Sequence, residues 1–427
     1  MQKNLYKNSY NLLQNDLKNK ILLLDGAMGT MIQQENLTAD DFGGEKYEGC
    51  NDYLVLQRPD VIKNIHKKYL EAGSDIIETN SFGALDIVLK DYDLEDTVFE
   101  MNKKAAELVN EAIAEYRSEH PEVTRNLYVA GALGPSNKSI SVTGGVTFEE
   151  LIHTYYTAVS GLMAGGVDLI LFETIQDTRN LKAAYLGLKK AMEENYTVPL
   201  MLSFTIESTG TTLAGQTADA FYYAVNHMNP FSVGLNCATG PEFMTQFLKT
   251  LNNISNTYIS VYPNAGLPNE DGEYEETPDT LSAKIEPFFQ NNYLNIVGGC
   301  CGTTPEHIQK IKEKSVNYSP RVIDENKDFN DVSGLIALET PKDRPIYVGE
   351  RTNVIGSRIF KNLIASEKFD EATEVARLQI KGRADVIDIC LANPDRDEIA
   401  DMKAFLDKVA KFAKVPLMID STDINVV

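Results

Sequence analysis

Short apolar segments alternate with longer amphipathic segments along most of the chain. Residues 21–24 are all isoleucine or leucine, and residues 167–173 are mostly apolar, which is typical of buried strands. Between such runs the apolar residues recur at helical spacing, as they do from Val61 to Leu70, where Gly73 ends the segment. The alternation predicts repeated units of one strand and one helix.

Eight apolar runs fit this alternation. They lie near residues 21–24, 75–79, 127–131, 167–173, 199–204, 231–237, 257–262 and 294–297. Eight such units over about 300 residues are what a parallel (β/α)8 barrel, or TIM barrel, requires, whereas an open doubly wound sheet usually has fewer strands. The predicted fold is therefore an α/β TIM barrel over residues 1–315.

The rest of the chain begins the same alternation again. Residues 316–344 contain prolines and a charged stretch, which is typical of a linker, and three more apolar runs follow with two helical segments between them. Three strands cannot close a barrel and would leave an apolar sheet edge open. We therefore predict that residues 345–427 are the start of a second, incomplete (β/α)8 barrel, and that the natural protein continues beyond Val427.

Composition narrows the class of partner and the compartment. A formal net charge of −22 and a pI of about 4.7 argue against nucleic acid or an anionic membrane as the main partner. No apolar stretch approaches the length of a membrane span, and the first twenty residues lack the apolar core of a signal peptide. The five cysteines, two of them adjacent, do not resemble a secreted disulfide framework, so we predict a cytoplasmic protein.

Candidate reactive residues lie at the ends of the predicted strands. Gly298 and Gly299 lead the last barrel run into the pair Cys300 and Cys301, and glycines permit a backbone that turns neighbouring side chains towards one side. Cys237 ends another run, and the carboxyl ends of barrel strands share one face. Three cysteine ligands with a fourth position left open suit a catalytic zinc ion.

Less specific interpretations remain open for these cysteines. A single cysteine at the end of a buried strand, such as Cys237, is more often a small core residue than a ligand. Cys300 and Cys301 could instead form a strained vicinal disulfide, although a reducing cytoplasm disfavours one. Cys50 and Cys390 are expected to be structural or incidental.

Several motifs together resemble a known family. The motifs are Asp25–Thr30, Glu78–Gly83, Phe172–Thr174, Gly234–Cys237 and Gly298–Gly302. With them, roughly residues 10–315 resemble the homocysteine S-methyltransferase family. Residues Gly349–Asn353 and Met418–Ser421 resemble the opening of a pterin-binding domain. The order of the two domains is similar to that in the cobalamin-dependent methionine synthases.

The resemblance implies a zinc-dependent methyltransferase. Its zinc ligands match Cys237, Cys300 and Cys301. Zinc would hold the homocysteine sulfur as a thiolate, which would take the methyl group of methylcobalamin and yield methionine. The ultimate methyl donor would be methyltetrahydrofolate.

The resemblance also implies the binding residues. Glu173 matches the acid that binds the ammonium group, and Asn264 would occupy the fourth zinc position when substrate is absent. The full set of expected substrate positions is Asp25, Gly26, Ala27, Glu173 and Asn264. Asn353 and Asp420 match positions of the folate site; because three strands hold only part of that site, we expect weak folate binding or none.

The sequence does not decide what carries cobalamin, and two alternative functions of the protein remain. No Asp-x-His-x-x-Gly cobalamin motif occurs in the sequence, so cobalamin is expected on a missing C-terminal region or on a separate corrinoid protein. One alternative function is a cobalamin-independent homocysteine methyltransferase that uses S-methylmethionine or betaine, against which the pterin-like block argues. The other is a zinc-binding or thiol-binding module without catalysis.

Overall fold

The structure, a computed structural model, describes residues 9–270, 274–324, 331–339 and 344–427. It divides into two compact units. The first runs over Met1–Leu213 and Met228–Lys327, and the second over Ala214–His227 and Asp328–Val427. Each unit is described by itself below.

The first unit contains an eight-stranded parallel sheet. Its strands are β1 (Leu22–Leu23), β2 (Ile76–Glu78), β3 (Tyr128–Leu133), β4 (Leu169–Ile175), β5 (Leu200–Phe204), β6 (Ser232–Asn236), β7 (Tyr258–Tyr262) and β8 (Ile296–Val297). They lie in the order β1-β8-β7-β6-β5-β4-β3-β2. A parallel bridge between Leu24 and Ile76 and a 2.7 Å hydrogen bond from Asp75 N–H to Leu23 O join the two ends. The predicted barrel fold is confirmed.

Helices alternate with these strands. Up to residue 315 the helices are α1 (Ser9–Asn19), α2 (Met28–Gln34), α3 (Leu54–Gln57), α4 (Pro59–Ala72), α5 (Asp86–Leu89), α6 (Val98–Glu119), α7 (Phe148–Gly165), α8 (Thr178–Glu194), α9 (Ala218–Val225), α10 (Pro241–Ile254), α11 (Pro278–Gln290) and α12 (Pro305–Ser315). Gly73 ends α4 in the left-handed conformation, as predicted. Pro287 lies inside the last turn of α11, which continues past it to Gln290.

Short 3₁₀ turns occur in the connections. They cover Ala39–Phe42, Glu45–Tyr47, Asn51–Tyr53, Lys90–Tyr92, Glu95–Thr97 and Asn226–Met228. The first three lie in the long connection after β1. This connection therefore reaches α4 through tight local turns.

The barrel core follows the two-residue period of its strands. Alternate residues of one strand point to the same side, so Leu169 and Leu171 of β4 enter one apolar cluster with residues of the neighbouring strands. Leu13 and Leu17 of α1 belong to the same cluster and are fully buried. One turn of helix separates these two leucines, which places both on the face of α1 that covers the barrel interior.

The second unit contains a partial parallel sheet. Its elements after residue 331 are β9 (Val332–Ser333), β10 (Ala337–Leu338), β11 (Val348–Gly349), α13 (Arg358–Ala365), α14 (Phe369–Lys381), β12 (Val386–Ile389), α15 (Glu398–Val409) and β13 (Leu417–Ile419). Strands β11, β12 and β13 pair in parallel in that order. Phe360 and Phe405 meet edge to face over this sheet at 5.1 Å between ring centroids.

A two-stranded antiparallel pair packs on helix α9 within the second unit. Strands β9 and β10 form the pair. Ser333 Oγ donates to Ala220 O at 2.8 Å, and Thr217 N–H donates to Leu335 O at 3.2 Å. The apolar segment of the predicted linker, Leu335–Leu338, therefore packs against α9. In the described parts of the chain, every helix is too short or too polar to cross a bilayer.

The buried histidine of α4 is expected to make the fold sensitive to acid. His66 is fully buried, neither ring nitrogen has a hydrogen-bond partner among the described residues, and burial lowers its pKa to about 3. An unfolded histidine binds a proton below about pH 6.5, so stability is lost as the pH falls from there towards 3. Between pH 6.5 and 5 we expect the buried, uncharged His66 to lower the free energy of unfolding by about 2 kcal/mol. In urea denaturation, the free energy of unfolding of His66→Leu should therefore fall by about 2 kcal/mol less than that of the wild type between pH 6.5 and 5. An equal fall in the two proteins would contradict this role of His66.

Candidate active site

Reactive side chains of the first unit gather at the carboxyl ends of its strands. Asp25 follows β1, Glu78 ends β2, Glu173 lies in the last half of β4, Cys237 follows β6, and the pair Cys300 and Cys301 follows β8. The carboxyl ends of parallel barrel strands share one face. The site is therefore assembled from segments far apart in sequence.

Three cysteine sulfurs meet at this face. Cys237 Sγ lies 3.8 Å from Cys301 Sγ, which lies 4.0 Å from Cys300 Sγ, and all three lie within 4.8 Å of one another. All are free thiols and half-buried. Within the described part of the chain, they are the only group of three or more histidine, cysteine, aspartate or glutamate side chains close enough to share a metal ion. Thiolate sulfur is a preferred zinc ligand, so the donor set fits that ion.

Unusual backbone conformations bring the sulfurs together. Cys237 and Ala238 both have φ of +57°, so the chain leaves β6 through two left-handed residues. After β8, Cys300 N–H donates to Pro263 O at 2.8 Å, and Gly299 N–H donates to Asp25 O at 3.1 Å. At Gly298 any side chain would meet Asp25 O at 2.8 Å, so a glycine is needed for this close approach.

Gly302 is expected to be essential to the turn that holds the cysteine pair. Its φ is +79°, and a methyl group there would overlap the Tyr274 ring. Gly302→Ala should therefore destabilise the fold by about 1–3 kcal/mol and lower the metal bound per chain, measured by denaturation and elemental analysis. Gly210→Ala is the matched control, because Gly210 has a φ of +86° with open space around it. Equal metal content in the two variants would contradict the role of the Tyr274 contact.

The thiols and one tyrosine share hydrogen bonds. Cys237, Cys300 and Tyr274 hydrogen-bond to the sulfur of Cys301 and lower its pKa to about 3. Hydrogen bonds with Cys237 and Cys301, together with burial, raise the pKa of Cys300 well above its usual value. No sequence pattern pointed to Tyr274, which lies in the connection after β7.

Three carboxyl groups lie at the same face as the sulfurs: Asp25 and Glu173 are buried, and Glu78 is half-buried. Burial raises the pKa of Asp25 and of Glu78 well above the usual range, and burial followed by the charge of Cys301 raises the pKa of Glu173 to about 8. Asp25 Oδ2 accepts a 3.1 Å hydrogen bond from Glu78 N–H. Its Oδ1 and Glu78 Oε1 are buried, and the described structure offers neither a partner. Such a group of carboxyls is completed by a cationic ligand, such as an ammonium group.

The loop after β1 packs tightly beneath Asp25. Ala27 N–H donates to Thr303 Oγ1 at 3.1 Å, and Tyr69 hydroxyl donates to Ala27 O at 3.2 Å. A side chain at Gly26 would meet Thr303 Oγ1 at 2.8 Å. The N–H of Ala27 is therefore already used within the protein, and the loop is held against the turn that carries the cysteine pair.

Asn264 lies beside the cysteine pair. The residues on either side of Asn264 form backbone hydrogen bonds with the cysteine pair. Pro263 O accepts from Cys300 N–H, and Ala265 N–H donates to Cys301 O at 2.9 Å. Its Oδ1 is buried and has no hydrogen-bond partner in the described ranges. A buried amide oxygen without a partner is available to a ligand or an ion.

In the second unit, Asn353 and Asp420 lie together. Asn353 Nδ2 donates to Asp420 Oδ2 at 3.5 Å and to Asp388 Oδ2 at 3.0 Å. Asp388 was not predicted as a site residue; it is the third residue of β12, one residue before the strand ends. Its Oδ1 is buried without a partner among the residues that the structure describes. The three residues thus form a polar cluster at the carboxyl ends of β12 and β13.

Comparison with known proteins agrees with this geometry. The family model for homocysteine S-methyltransferase matches residues 22–315, and the model for pterin binding enzymes matches residues 349–427. Two crystal structures of the homocysteine methyltransferase MmuM from Escherichia coli are similar. The metallated form is 25% identical with a TM-score of 0.60 over 71% of this chain and 100% of that chain. The oxidized form is 24% identical with a TM-score of 0.60, over 72% and 100%. The chain belongs to the homocysteine S-methyltransferase family.

Proposed function

We propose that this protein makes methionine by moving a methyl group from methylcobalamin to the sulfur of homocysteine, and that it belongs to the methionine synthase type. In this proposal Cys237, Cys300 and Cys301 hold zinc, and methyltetrahydrofolate is the ultimate methyl donor. The observation that carries the proposal is the meeting of three sulfurs beside buried carboxyls on one barrel face. These are the groups that a substrate with both a thiol and an ammonium group requires.

The chemistry requires an activated thiol. A free thiol has a pKa of roughly 8.5, so most of it is protonated and weakly nucleophilic at neutral pH. Zinc held by the three sulfurs supplies a position where the homocysteine sulfur is a thiolate at neutral pH. Methylcobalamin would supply the methyl group: the methyl carbon would bond to the homocysteine sulfur as the cobalt–carbon bond breaks, and the electron pair of that bond would stay with the corrinoid. The thiol proton leaves to solvent.

The chain's own residues orient the substrate. Asp25 and Glu173 bind the ammonium group, which supplies the positive charge that their buried oxygens lack. The loop through Gly26 and Ala27 is fixed by Thr303 and holds Asp25 in place. Asn264, whose buried Oδ1 has no partner among the described residues, would be available to the metal when homocysteine is absent. Positioning of this kind removes most of the entropy cost of bringing the two reactants together.

The second unit supports a folate-derived methyl donor. Asn353 and Asp420 lie together in the part that matches pterin binding enzymes, and they would hydrogen-bond the edge of the pterin ring. Cobalamin would be carried by a region outside this sequence or by a separate corrinoid protein. The pterin match is what favours methylcobalamin over a sulfonium compound as the immediate donor.

The test is metal analysis followed by methionine formation from three donors. The purified protein, loaded with zinc, is given homocysteine and free methylcobalamin, S-methylmethionine or betaine. We expect about one zinc per chain and methionine from methylcobalamin. Methionine from S-methylmethionine or betaine alone would replace the proposal with a cobalamin-independent enzyme. Bound zinc without methionine from any donor would favour a non-catalytic binding module.

A further inference from the structure

Strand β4 carries a bulge at the position of Glu173. Phe172 pairs with Leu202 and Ile175 pairs with Phe204, so Glu173 and Thr174 together face the single residue Ser203. A bulge adds one residue to a strand and changes the direction of the side chains around it. The direction of the Glu173 side chain therefore depends on this irregularity being maintained.

The bulge contains an unfavourable backbone conformation. Thr174 has a φ of +54°, in the left-handed region that β-branched residues rarely adopt. Such a residue persists only where its surroundings hold it in place. The surroundings of Thr174 should therefore include a specific restraint.

Asn236, the last residue of β6, supplies that restraint. Thr174 N–H donates to Asn236 Oδ1 at 3.1 Å, and Asn236 Nδ2 donates to Thr174 Oγ1 at 2.8 Å. Ser203 Oγ donates to the same Oδ1 at 2.6 Å. Asn236 is fully buried. One amide group thus binds both the strained residue and the residue opposite it across the bulge.

Asn236 also lies next to the sulfur cluster. The residue after it is Cys237, whose φ of +57° turns the thiol towards the other cysteines. The residue before Thr174 is Glu173. A single buried amide therefore connects the carboxyl side of the site to its sulfur side.

We propose that Asn236 is a positioning residue, which holds the bulge of β4 so that Glu173 meets the ammonium group of homocysteine while Cys237 keeps its place in the sulfur cluster. This inference rests on the proposed binding of homocysteine. It assigns Asn236 no contact with the substrate. The competing interpretation is a buried asparagine that only stabilises the sheet.

The two interpretations differ in what a second substitution does. Asn236→Ala removes all three hydrogen bonds, and we expect the Kd for homocysteine, measured by calorimetry on the zinc-loaded protein, to rise about tenfold or more. Thr174→Gly should restore most of the affinity in the double variant, because glycine adopts positive φ without strain. Extra glycine in a strand weakens a sheet, so a purely stabilising role predicts no rescue. Ser203→Ala removes only one bond to Asn236, and we expect a smaller rise in Kd.

Asn295→Ala is the matched control. Asn295 is also fully buried and makes two hydrogen bonds, from Ile259 N–H at 3.1 Å and to Arg321 O at 2.8 Å, but it lies before β8 at the opposite end of the barrel. This variant should lose stability and keep its Kd. An unchanged Kd in Asn236→Ala and Ser203→Ala, or a double variant no better than Asn236→Ala, would overturn the inference. A zinc-loaded wild type that does not bind homocysteine would instead overturn the proposed function, and the inference with it.

Discussion

Replacing Cys301 by alanine is expected to lower zinc affinity by about a hundredfold or more and to abolish methionine formation. Its sulfur lies 3.8 Å and 4.0 Å from the other two, so the variant keeps only two of three ligands. A zinc site of four ligands contributes about 10–16 kcal/mol, which makes the loss of one ligand cost about 3 kcal/mol. Zinc competition with a chromophoric chelator measures this loss directly, with and without homocysteine.

Cys50→Ala is the control for the Cys301 substitution. Cys50 is buried and free, and it takes no part in the sulfur cluster. This variant should bind zinc as the wild type does. If Cys301→Ala kept wild-type zinc affinity, the metal would have to bind elsewhere and the proposed mechanism would fail.

Neutralising the carboxyl side of the site is expected to weaken homocysteine binding without removing zinc. Glu173→Gln and Asp25→Asn keep the size of each side chain and remove its negative charge in the bound state. A buried charge pair that loses one partner typically costs about 2–5 kcal/mol, which raises Kd by about thirtyfold to several thousandfold. Calorimetric titration of each zinc-loaded variant with homocysteine measures the effect, and elemental analysis checks the zinc.

Asp75→Asn is the control for these charge changes. Asp75 is buried to the same extent as Asp25, and it accepts a 3.1 Å hydrogen bond from Leu23 N–H before β2, at the opposite end of that strand. The Asp75→Asn variant should differ from the wild type in its free energy of unfolding and keep the same affinity for homocysteine. Wild-type affinity in both Glu173→Gln and Asp25→Asn would show that the ammonium group binds elsewhere.

The architecture of the first unit was accessible from the sequence because its strands are buried. A strand covered on both faces is a nearly continuous apolar run, as in residues 167–173, and a helix between two such runs implies a parallel crossover. Eight repeats then leave few alternatives to a closed barrel. The rule that barrel sites lie at carboxyl ends placed Cys237 near the Cys300 pair before any coordinates were considered.

Other features depend on contacts between distant segments, which no local pattern encodes. Leu13 and Leu17 are apolar residues in the mostly polar segment α1, and their burial becomes visible only once the barrel interior exists. The positive φ of Thr174 and Cys237 contradicts local preference and is maintained by tertiary hydrogen bonds. Glu78 ends its strand at the barrel face where Asp25 lies, so position alone could have identified it as a site residue. Its unpaired oxygen could not have been predicted.

The join between β1 and β8 has a thermodynamic consequence. These strands pair through only two residue positions, and the next contact beyond them is the bond from Gly299 N–H to Asp25 O, directly before the cysteine pair. A ligand that binds only the folded state stabilises the elements that form its site. Zinc would therefore stabilise the short pairing of β1 with β8, so that loss of the ion would loosen this pair of strands.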